Sequence, residues 1–221
     1  MIGANRKTNR SKEHSMPQQL DMFEPESNPR EFIKIANGEY IYLPGFFNVP
    51  QANQYLAQLQ DNILWKQEKM NMYGKQVDFP RLTSWYGDTG KPYSFSGIKL
   101  TPHPWTAELT EIKQQVETFC STSFNSVLLN LYRHGNDSIS WHSDAEKELG
   151  INPVIASVNF GAERVFQMQH NSTQEKISIT LEHGSLLVMR GELQHYWKHQ
   201  VPKTKKTVAP RINLTFRTIL G

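Results

Sequence analysis

The sequence has only one cysteine, Cys120, among its 221 residues. A single thiol cannot form an intramolecular disulfide, so both a disulfide-rich fold and a cysteine-rich zinc site are excluded. This scarcity predicts a protein of a reducing compartment. The sequence also lacks a run of about 20 apolar residues, the length that a membrane span requires. Its N-terminal residues lack the apolar segment of a secretory signal.

Charge of neither sign dominates. The chain has 24 Lys and Arg residues against 21 Asp and Glu residues, for a net charge of +3, and its pI is about 8.9. This mild basic bias permits a nucleic-acid partner without requiring one. The length suits one sizeable domain and is short for two. We find no internal repeat, and we expect a monomer.

The first 30 residues are polar and have few apolar residues, which predicts a disordered tail ahead of a domain at 31–221. One apolar island, Gln18-Gln19-Leu20-Asp21-Met22-Phe23, interrupts the tail. It resembles the short clamp-binding peptide of bacterial replication and repair proteins. The resemblance implies that Gln19, Leu20 and Phe23 contact a sliding clamp. The alternatives are that the island packs on its own domain or has no role.

The first half of the domain carries helical patterns. Apolar residues recur at helical spacing over 50–63 and again over 105–119, which predicts two helices, the second beginning within 101–104. A short strand pattern at 39–42 precedes them. Residues 67–100, between the helices, are rich in glycine, proline, aromatics and lysine. This composition predicts loops and hairpins that carry a surface function.

The second half of the domain carries strand patterns. They lie at 126–132, 154–160, 176–181, 185–189 and 211–219, and turn residues separate them. Helices followed by many short strands predict an α+β domain whose body is a β-sandwich or an open barrel.

Alternation along the last strand separates two kinds of side chain. Ile212, Leu214 and Phe216 share one face, whereas the opposite face carries Arg211, Asn213, Thr215 and Arg217. Asn130 and Tyr132 likewise share one side of an earlier strand. On a surface strand these groups are simply solvated. If they are buried, the arginines need a carboxylate partner, which a guanidinium can bind in bidentate fashion.

The stretch Trp141-His142-Ser143-Asp144 has the spacing of a metal site. On an extended segment, His142 and Asp144 point to the same side. One imidazole and one carboxylate supply two thirds of a 2-His-1-carboxylate iron site. Spacing alone does not choose between His195 and His199 as the third ligand.

From about residue 73 to residue 218 the sequence resembles the AlkB family, the iron(II)- and 2-oxoglutarate-dependent nucleic-acid dealkylases, and within it most the branch that acts on duplex DNA. Four blocks in the family's order carry the resemblance: Asn130-Leu131-Tyr132, His142-Ser143-Asp144, Trp197-Lys198-His199 and Arg211-Ile212-Asn213-Leu214-Thr215-Phe216-Arg217. The resemblance implies a double-stranded β-helix (jelly-roll) core with N-terminal helices. It also implies a nucleotide-recognition lid, which falls at 67–100.

The resemblance also implies a set of ligands. His142, Asp144 and His199 match the catalytic iron ligands, because a Val-Pro turn follows His199 closely; His195 then lies beside the site or on the surface. The cosubstrate 2-oxoglutarate is assigned by five matches. Arg211 and Arg217 hold its distal carboxylate, and hydrogen bonds come from Asn130, Tyr132 and Asn213. Fe(II), 2-oxoglutarate and O2 are therefore the expected cofactors.

The implied reaction is oxidative demethylation of alkylated bases such as N1-methyladenine and N3-methylcytosine in DNA, with release of formaldehyde. Phe95 matches the aromatic residue that stacks on a flipped-out base, opposite His142. Glu146 matches the acidic residue that reads the base edge and favours a cationic lesion. Tyr73 falls where an aromatic finger fills the vacated stack. For Phe95 and Tyr73 the alternative is ordinary packing.

The last implied contact is with the DNA backbone. Lys203, Lys205 and Lys206 form a basic cluster before the final strand, where they can bind phosphates. For a bacterial host this predicts a cytoplasmic, nucleoid-associated protein. Three alternatives stay open: a dealkylase of RNA or single strands, a non-catalytic nucleic-acid-binding module on the same fold, and a hydroxylase of proteins or small molecules.

Overall fold

In this computed structural model the chain is described over residues 1, 31–72, 74–89, 93–95 and 98–220, with the backbone alone described for 70–72, 93–95 and 98–100. Apart from Met1, the predicted N-terminal tail lies outside these residues, together with Gln19, Leu20 and Phe23 of the clamp-like island. Tyr73 also lies outside them.

The described residues form fifteen strands and three α-helices. The helices are α1 (Val49–Asn62), α2 (Ala107–Cys120) and α3 (Leu193–Tyr196). The strands are β1 (Ile33–Ile35), β2 (Gly38–Leu43), β3 (Lys69–Met72), β4 (Lys75–Asp78), β5 (Leu82–Gly87), β6 (Tyr93–Phe95), β7 (Ile98–Leu100), β8 (Ser126–Tyr132), β9 (Ile139–His142), β10 (Ile155–Gly161), β11 (Arg164–His170), β12 (Lys176–Leu181), β13 (Ser185–Arg190), β14 (Trp197–Val201) and β15 (Arg211–Arg217).

Two antiparallel sheets form the body. The larger sheet has the strand order β1-β2-β13-β10-β15-β8-β5, and the smaller one has the order β12-β11-β14-β9. Two separate hairpins, β3-β4 and β6-β7, lie within 67–100, where loops and hairpins are predicted. The protein is therefore mostly β-sheet with few helices. The predicted jelly-roll-like body is confirmed, whereas the role of 67–100 as a lid remains a prediction.

Helices α1 and α2 cover the outer face of the larger sheet. Ile212, Leu214 and Phe216 of β15 belong to the same buried cluster as Leu59 of α1 and Ile112 of α2. This leaves the inner face of the larger sheet turned toward the smaller sheet. The polar side of β15 is thus enclosed between two layers, and it is not the solvated face of a surface strand.

Local capping sets where each long helix begins. Asn48 accepts a hydrogen bond from the Gln51 backbone at the start of α1, next to the Pro50 from which the helix is predicted to begin. Helix α2 begins later than the predicted 101–104, because the Thr106 hydroxyl caps it by accepting from the Leu109 backbone at 3.4 Å. Pro104 disfavours helical geometry in the residue before it. Among the described helices, none is both long and apolar enough to cross a membrane.

Candidate active site

A cavity of about 40 Å³, partly open to solvent, lies between the two sheets. The larger sheet contributes side chains from β8 and β15, and the smaller sheet contributes side chains from β9 and β14. The polar residues in its wall are Asn130, Tyr132, His142, Asp144, Ser157, His199, Arg211, Asn213, Thr215 and Arg217. The cavity therefore collects the polar faces of strands that are far apart in the sequence.

Three potential metal ligands meet at this cavity. The ligand atoms of His142, Asp144 and His199 all lie within 4.8 Å of one another. Strands β9 and β14 pair so that His142 stands directly opposite His199, and their ring centroids are 4.3 Å apart. Asp144 follows two residues after His142, just beyond the end of β9. The cluster contains His199 and not His195, which is exposed.

The Asp144 carboxylate is held by an arginine. Arg217 Nη2 donates to Asp144 Oδ1 at 2.7 Å, and both side chains are buried. Burial alone raises the pKa of Asp144, but the Arg217 guanidinium, with His199 and His142, lowers that pKa to about 2. Asp144 is therefore a carboxylate at any physiological pH. The Gln194 side chain also holds the backbone of Asp144, because its amide oxygen accepts a hydrogen bond from Asp144 N at 3.0 Å.

Each of the two imidazoles can offer a ring nitrogen to a metal. His142 Nδ1 lies 2.8 Å from the Ser140 carbonyl. A carbonyl only accepts, so Nδ1 carries a proton and Nε2 is the ring nitrogen that would bind a metal. Burial, and then the neighbouring His142, lower the pKa of His199 to about 3. Phe166 packs against the His199 ring, with centroids 5.2 Å apart.

Arg211 lies toward the other end of β15, six residues before Arg217. Six residues of strand span about 20 Å, so the two guanidinium groups serve different parts of the cavity. Arg211 is 1% exposed. Its Nη2 donates to Asn159, and its guanidinium lies 4.9 Å from the centre of the Tyr132 ring. Within the described part of the chain, Nε and Nη1 of Arg211 have no hydrogen-bond partner.

Buried amides line the floor between these two ends. Asn213 Nδ2 donates to Ser157 Oγ at 2.8 Å, and Asn213 Oδ1 accepts from Thr215 Oγ1 at 3.1 Å. Asn130 Nδ2 lies 3.4 Å from the same oxygen. Both ends of the Asn213 amide are thus engaged by protein groups, and its predicted hydrogen bond to 2-oxoglutarate remains a prediction.

Known proteins share this architecture. The family model of the 2OG-Fe(II) oxygenase superfamily matches residues 39–217. The chain belongs to this superfamily. Fe(II), 2-oxoglutarate and O2 are therefore its cofactors.

Several relatives whose names include AlkB match this chain. The chain is 42% identical to the alpha-ketoglutarate-dependent dioxygenase alkB homolog 3 of Bos taurus, over 80% of this chain and 64% of that protein. It is 38% identical to the DNA oxidative demethylase ALKBH2 of Bos taurus, over 83% of this chain and 69% of that protein. A 2OG-Fe(II) oxygenase family structure from Burkholderia pseudomallei has the same fold, with a TM-score of 0.56 at 13% identity, covering 82% of this chain and 85% of that one. The chain thus spans about 64% of the length of the alkB homolog 3 relative.

The residues present in this oxygenase fit its cofactors. Two imidazoles and one carboxylate form the ligand set of many non-haem Fe(II) oxygenases. The orphaned nitrogens of Arg211 belong to a buried cation on the cavity wall, which suits a carboxylate of 2-oxoglutarate. His199 Nδ1 is likewise buried and without a partner among the described residues.

The structure describes the predicted substrate residues to different extents. The backbone of Phe95 pairs with Ile98 in the β6-β7 hairpin, and its side chain lies outside the described part. Glu146 lies just after the metal cluster, and its Oε2 is buried without a hydrogen-bond partner in the described structure. The cluster of Lys203, Lys205 and Lys206 is exposed in the loop between β14 and β15.

Sequence reasoning missed several residues that support the site. Ser157 and Asn159 contact Asn213 and Arg211 from β10, and alternation along 154–160 could have placed them on the polar side. Gln194 lies on the one-turn helix α3, where no pattern in the sequence indicated it. Arg81, which is buried and donates to Asn130 at 2.7 Å, also gave no signal.

Proposed function

We propose that this oxygenase demethylates alkylated bases such as N1-methyladenine and N3-methylcytosine in DNA and releases formaldehyde. One observation carries the proposal: His142, Asp144 and His199 converge at the same cavity that Arg211 lines with unpartnered donors. The names of the relatives, which include a DNA oxidative demethylase, point to alkylated nucleic acid as the substrate.

When bound, Fe(II) together with 2-oxoglutarate and O2 supplies the oxidising power that hydroxylates an N-methyl group. His142, Asp144 and His199 would hold the metal. Arg217 keeps Asp144 ionised and oriented through the 2.7 Å contact. Arg211 would bind the distal carboxylate of 2-oxoglutarate, with Tyr132 beside it and Asn130 along its length. We therefore assign Arg217 to the metal end of the cavity and not, as the sequence resemblance implied, to the distal carboxylate.

The proposed substrate contacts follow from charge and shape. A base methylated at a ring nitrogen is cationic, so a carboxylate with a free, buried oxygen such as that of Glu146 would favour the lesion over the normal base. An aromatic ring at Phe95 would stack on the extruded base. Extrusion costs a few kcal/mol and is cheapest for a damaged base.

Duplex DNA is the strand form that we propose, with Tyr73 filling the vacated stack and Lys203, Lys205 and Lys206 on the backbone phosphates. We further propose that the protein acts as a monomer. An additional contact with a sliding clamp through Gln19, Leu20 and Phe23 is part of the same proposal.

A formaldehyde-release assay on defined methylated oligonucleotides tests the function. With Fe(II) and 2-oxoglutarate, the wild-type protein should release formaldehyde from an N1-methyladenine or N3-methylcytosine duplex, and His142→Ala should release none. Turnover on the single strand should be lower. Turnover on methylated RNA or on single strands, without turnover on the duplex, would favour a dealkylase of RNA or single-stranded nucleic acid. Binding without formation of succinate would favour the non-catalytic module.

A further inference from the structure

Arg81 is a buried arginine that the proposed chemistry leaves without a role. It lies just before β5, is 4% exposed, and packs 4.9 Å from the centre of the Phe79 ring. Its Nε donates to Asn130 Oδ1 at 2.7 Å, and its Nη1 donates to the Ser138 carbonyl at 3.3 Å. The residues that line the cavity include Asn130 but not Arg81. Arg81 therefore contacts the cosubstrate pocket from behind.

This contact fixes which way the Asn130 amide faces. An asparagine amide has one accepting oxygen and one donating nitrogen, whereas a guanidinium only donates. The atom that Arg81 contacts must therefore be the oxygen. The amide nitrogen then lies on the opposite side, where it approaches Asn213 Oδ1 at 3.4 Å. Since that separation is long for a hydrogen bond, the nitrogen retains donor capacity for a ligand in the cavity.

The chemistry of the cosubstrate requires this orientation. The oxygens of 2-oxoglutarate in its ionised form are all acceptors. An Asn130 amide turned the other way would present its own oxygen to them and repel them. Held as it is, the amide offers a donor to an anionic ligand. Burial lowers the pKa of the Arg81 guanidinium, and the nearby Tyr132 and Asp137 oppose that shift.

We propose that Arg81 is a positioning residue for 2-oxoglutarate, acting through the amide of Asn130. Arg81 lies within the 67–100 segment, three residues after the end of the β3-β4 hairpin. The carbonyl of the neighbouring Pro80 accepts a hydrogen bond from Ser138 N at 2.8 Å. The cosubstrate pocket is thus braced by the segment that is predicted to cover the substrate. The inference rests on 2-oxoglutarate as the cosubstrate and does not depend on which nucleic acid is repaired.

Calorimetric titration of 2-oxoglutarate into protein loaded with Mn(II) tests the proposal without turnover. Arg81→Met should weaken 2-oxoglutarate binding about tenfold, the effect expected for one charge-assisted hydrogen bond. Asn130→Ala should weaken it to a similar degree, and adding Arg81→Met to Asn130→Ala should cause no further loss. Mn(II) affinity without cosubstrate should be unchanged in all three variants.

Two controls separate positioning from folding. Arg133→Met removes an arginine that binds Asp137 in the loop after β8 and Gln67 ahead of β3, and this variant should bind 2-oxoglutarate as the wild type does. Arg81→Lys keeps a donor and a charge, so it should recover part of the affinity; it also serves as the test variant if Arg81→Met does not fold.

If Arg81→Met bound 2-oxoglutarate with wild-type affinity, the proposal would be overturned. It would also be overturned if Arg81→Met caused the same loss of affinity in the wild-type protein and in the Asn130→Ala variant. A wild-type protein that fails to bind 2-oxoglutarate would overturn the cosubstrate assignment as well. Failure to demethylate DNA while these binding differences hold would count against the proposed function alone.

Discussion

Arg217 donates to the carboxylate of Asp144 at 2.7 Å, and the two side chains are 5% and 2% exposed. The pair sits between the metal cluster and the last strand of the larger sheet. A buried carboxylate without its partner is far more costly than the pair itself is stabilising. Arg217 therefore does two things at once: it keeps a metal ligand charged, and it ties that ligand to the sheet.

Removing this arginine should cost stability as well as metal affinity. Arg217→Met should lower the free energy of unfolding by about 3 kcal/mol, since it leaves a buried charge unpaired, and it should weaken binding of divalent metal. Urea denaturation and metal titration measure the two effects. Arg190→Met is the matched control, because it breaks a half-exposed pair with Glu39, also at 2.7 Å, and should cost about 1 kcal/mol or less. Equal losses in the two variants would contradict this role for Arg217.

Arg211 should govern cosubstrate binding without affecting the metal. Arg211→Met removes two unpartnered donors from the cavity wall, and it should weaken 2-oxoglutarate binding about 100-fold, the loss expected for two charge-assisted hydrogen bonds. Calorimetry on metal-loaded protein measures it. Arg164→Met removes another buried guanidinium, which lies 5.6 Å from the Tyr132 ring and donates to the carbonyls of Asp137 and Pro202. That variant should lose less than Arg211→Met; the reverse order would show that Arg211 is not the carboxylate ligand.

The lysine cluster should set the salt dependence of DNA binding. Replacing Lys203, Lys205 and Lys206 with alanine should reduce the slope of log affinity against log salt by about 2 to 3, since each phosphate contact contributes about 0.9. Fluorescence anisotropy at several salt concentrations measures the slope. Lys34→Ala, an exposed lysine on the edge strand β1, is the control and should leave it unchanged. An unchanged slope in the triple variant would remove these lysines from the DNA contact.

Much of the site could be predicted because strand alternation survives in the sequence. The residues of β15 alone predicted its apolar face and its polar face. The structure buries both, the apolar face against the helices and the polar face around the cavity. The strands β8, β12 and β13 were found because their apolar content is high. Glycine and asparagine at the turns marked where they end.

The missed strands are short or polar, and their pairing depends on distant partners. Strand β14 reads Trp-Lys-His-Gln-Val, and only the structure shows its first, third and fifth residues buried. Strand β9 is only four residues long and ends on His142. Residue spacing also could not select His199 over His195 as the third ligand. Helix α3 ends between the two residues, so His195 lies on that helix and His199 lies on β14.

Metal titration of two histidine variants tests the central claim most directly. His199→Ala removes a member of the three-residue cluster, whereas His195→Ala removes an exposed histidine four residues earlier. Titrated anaerobically with Fe(II), His195→Ala should bind one ion as the wild type does, and His199→Ala should lose tight binding. Tight binding by His199→Ala, or its loss in His195→Ala, would contradict the metal site on which this account of the protein depends.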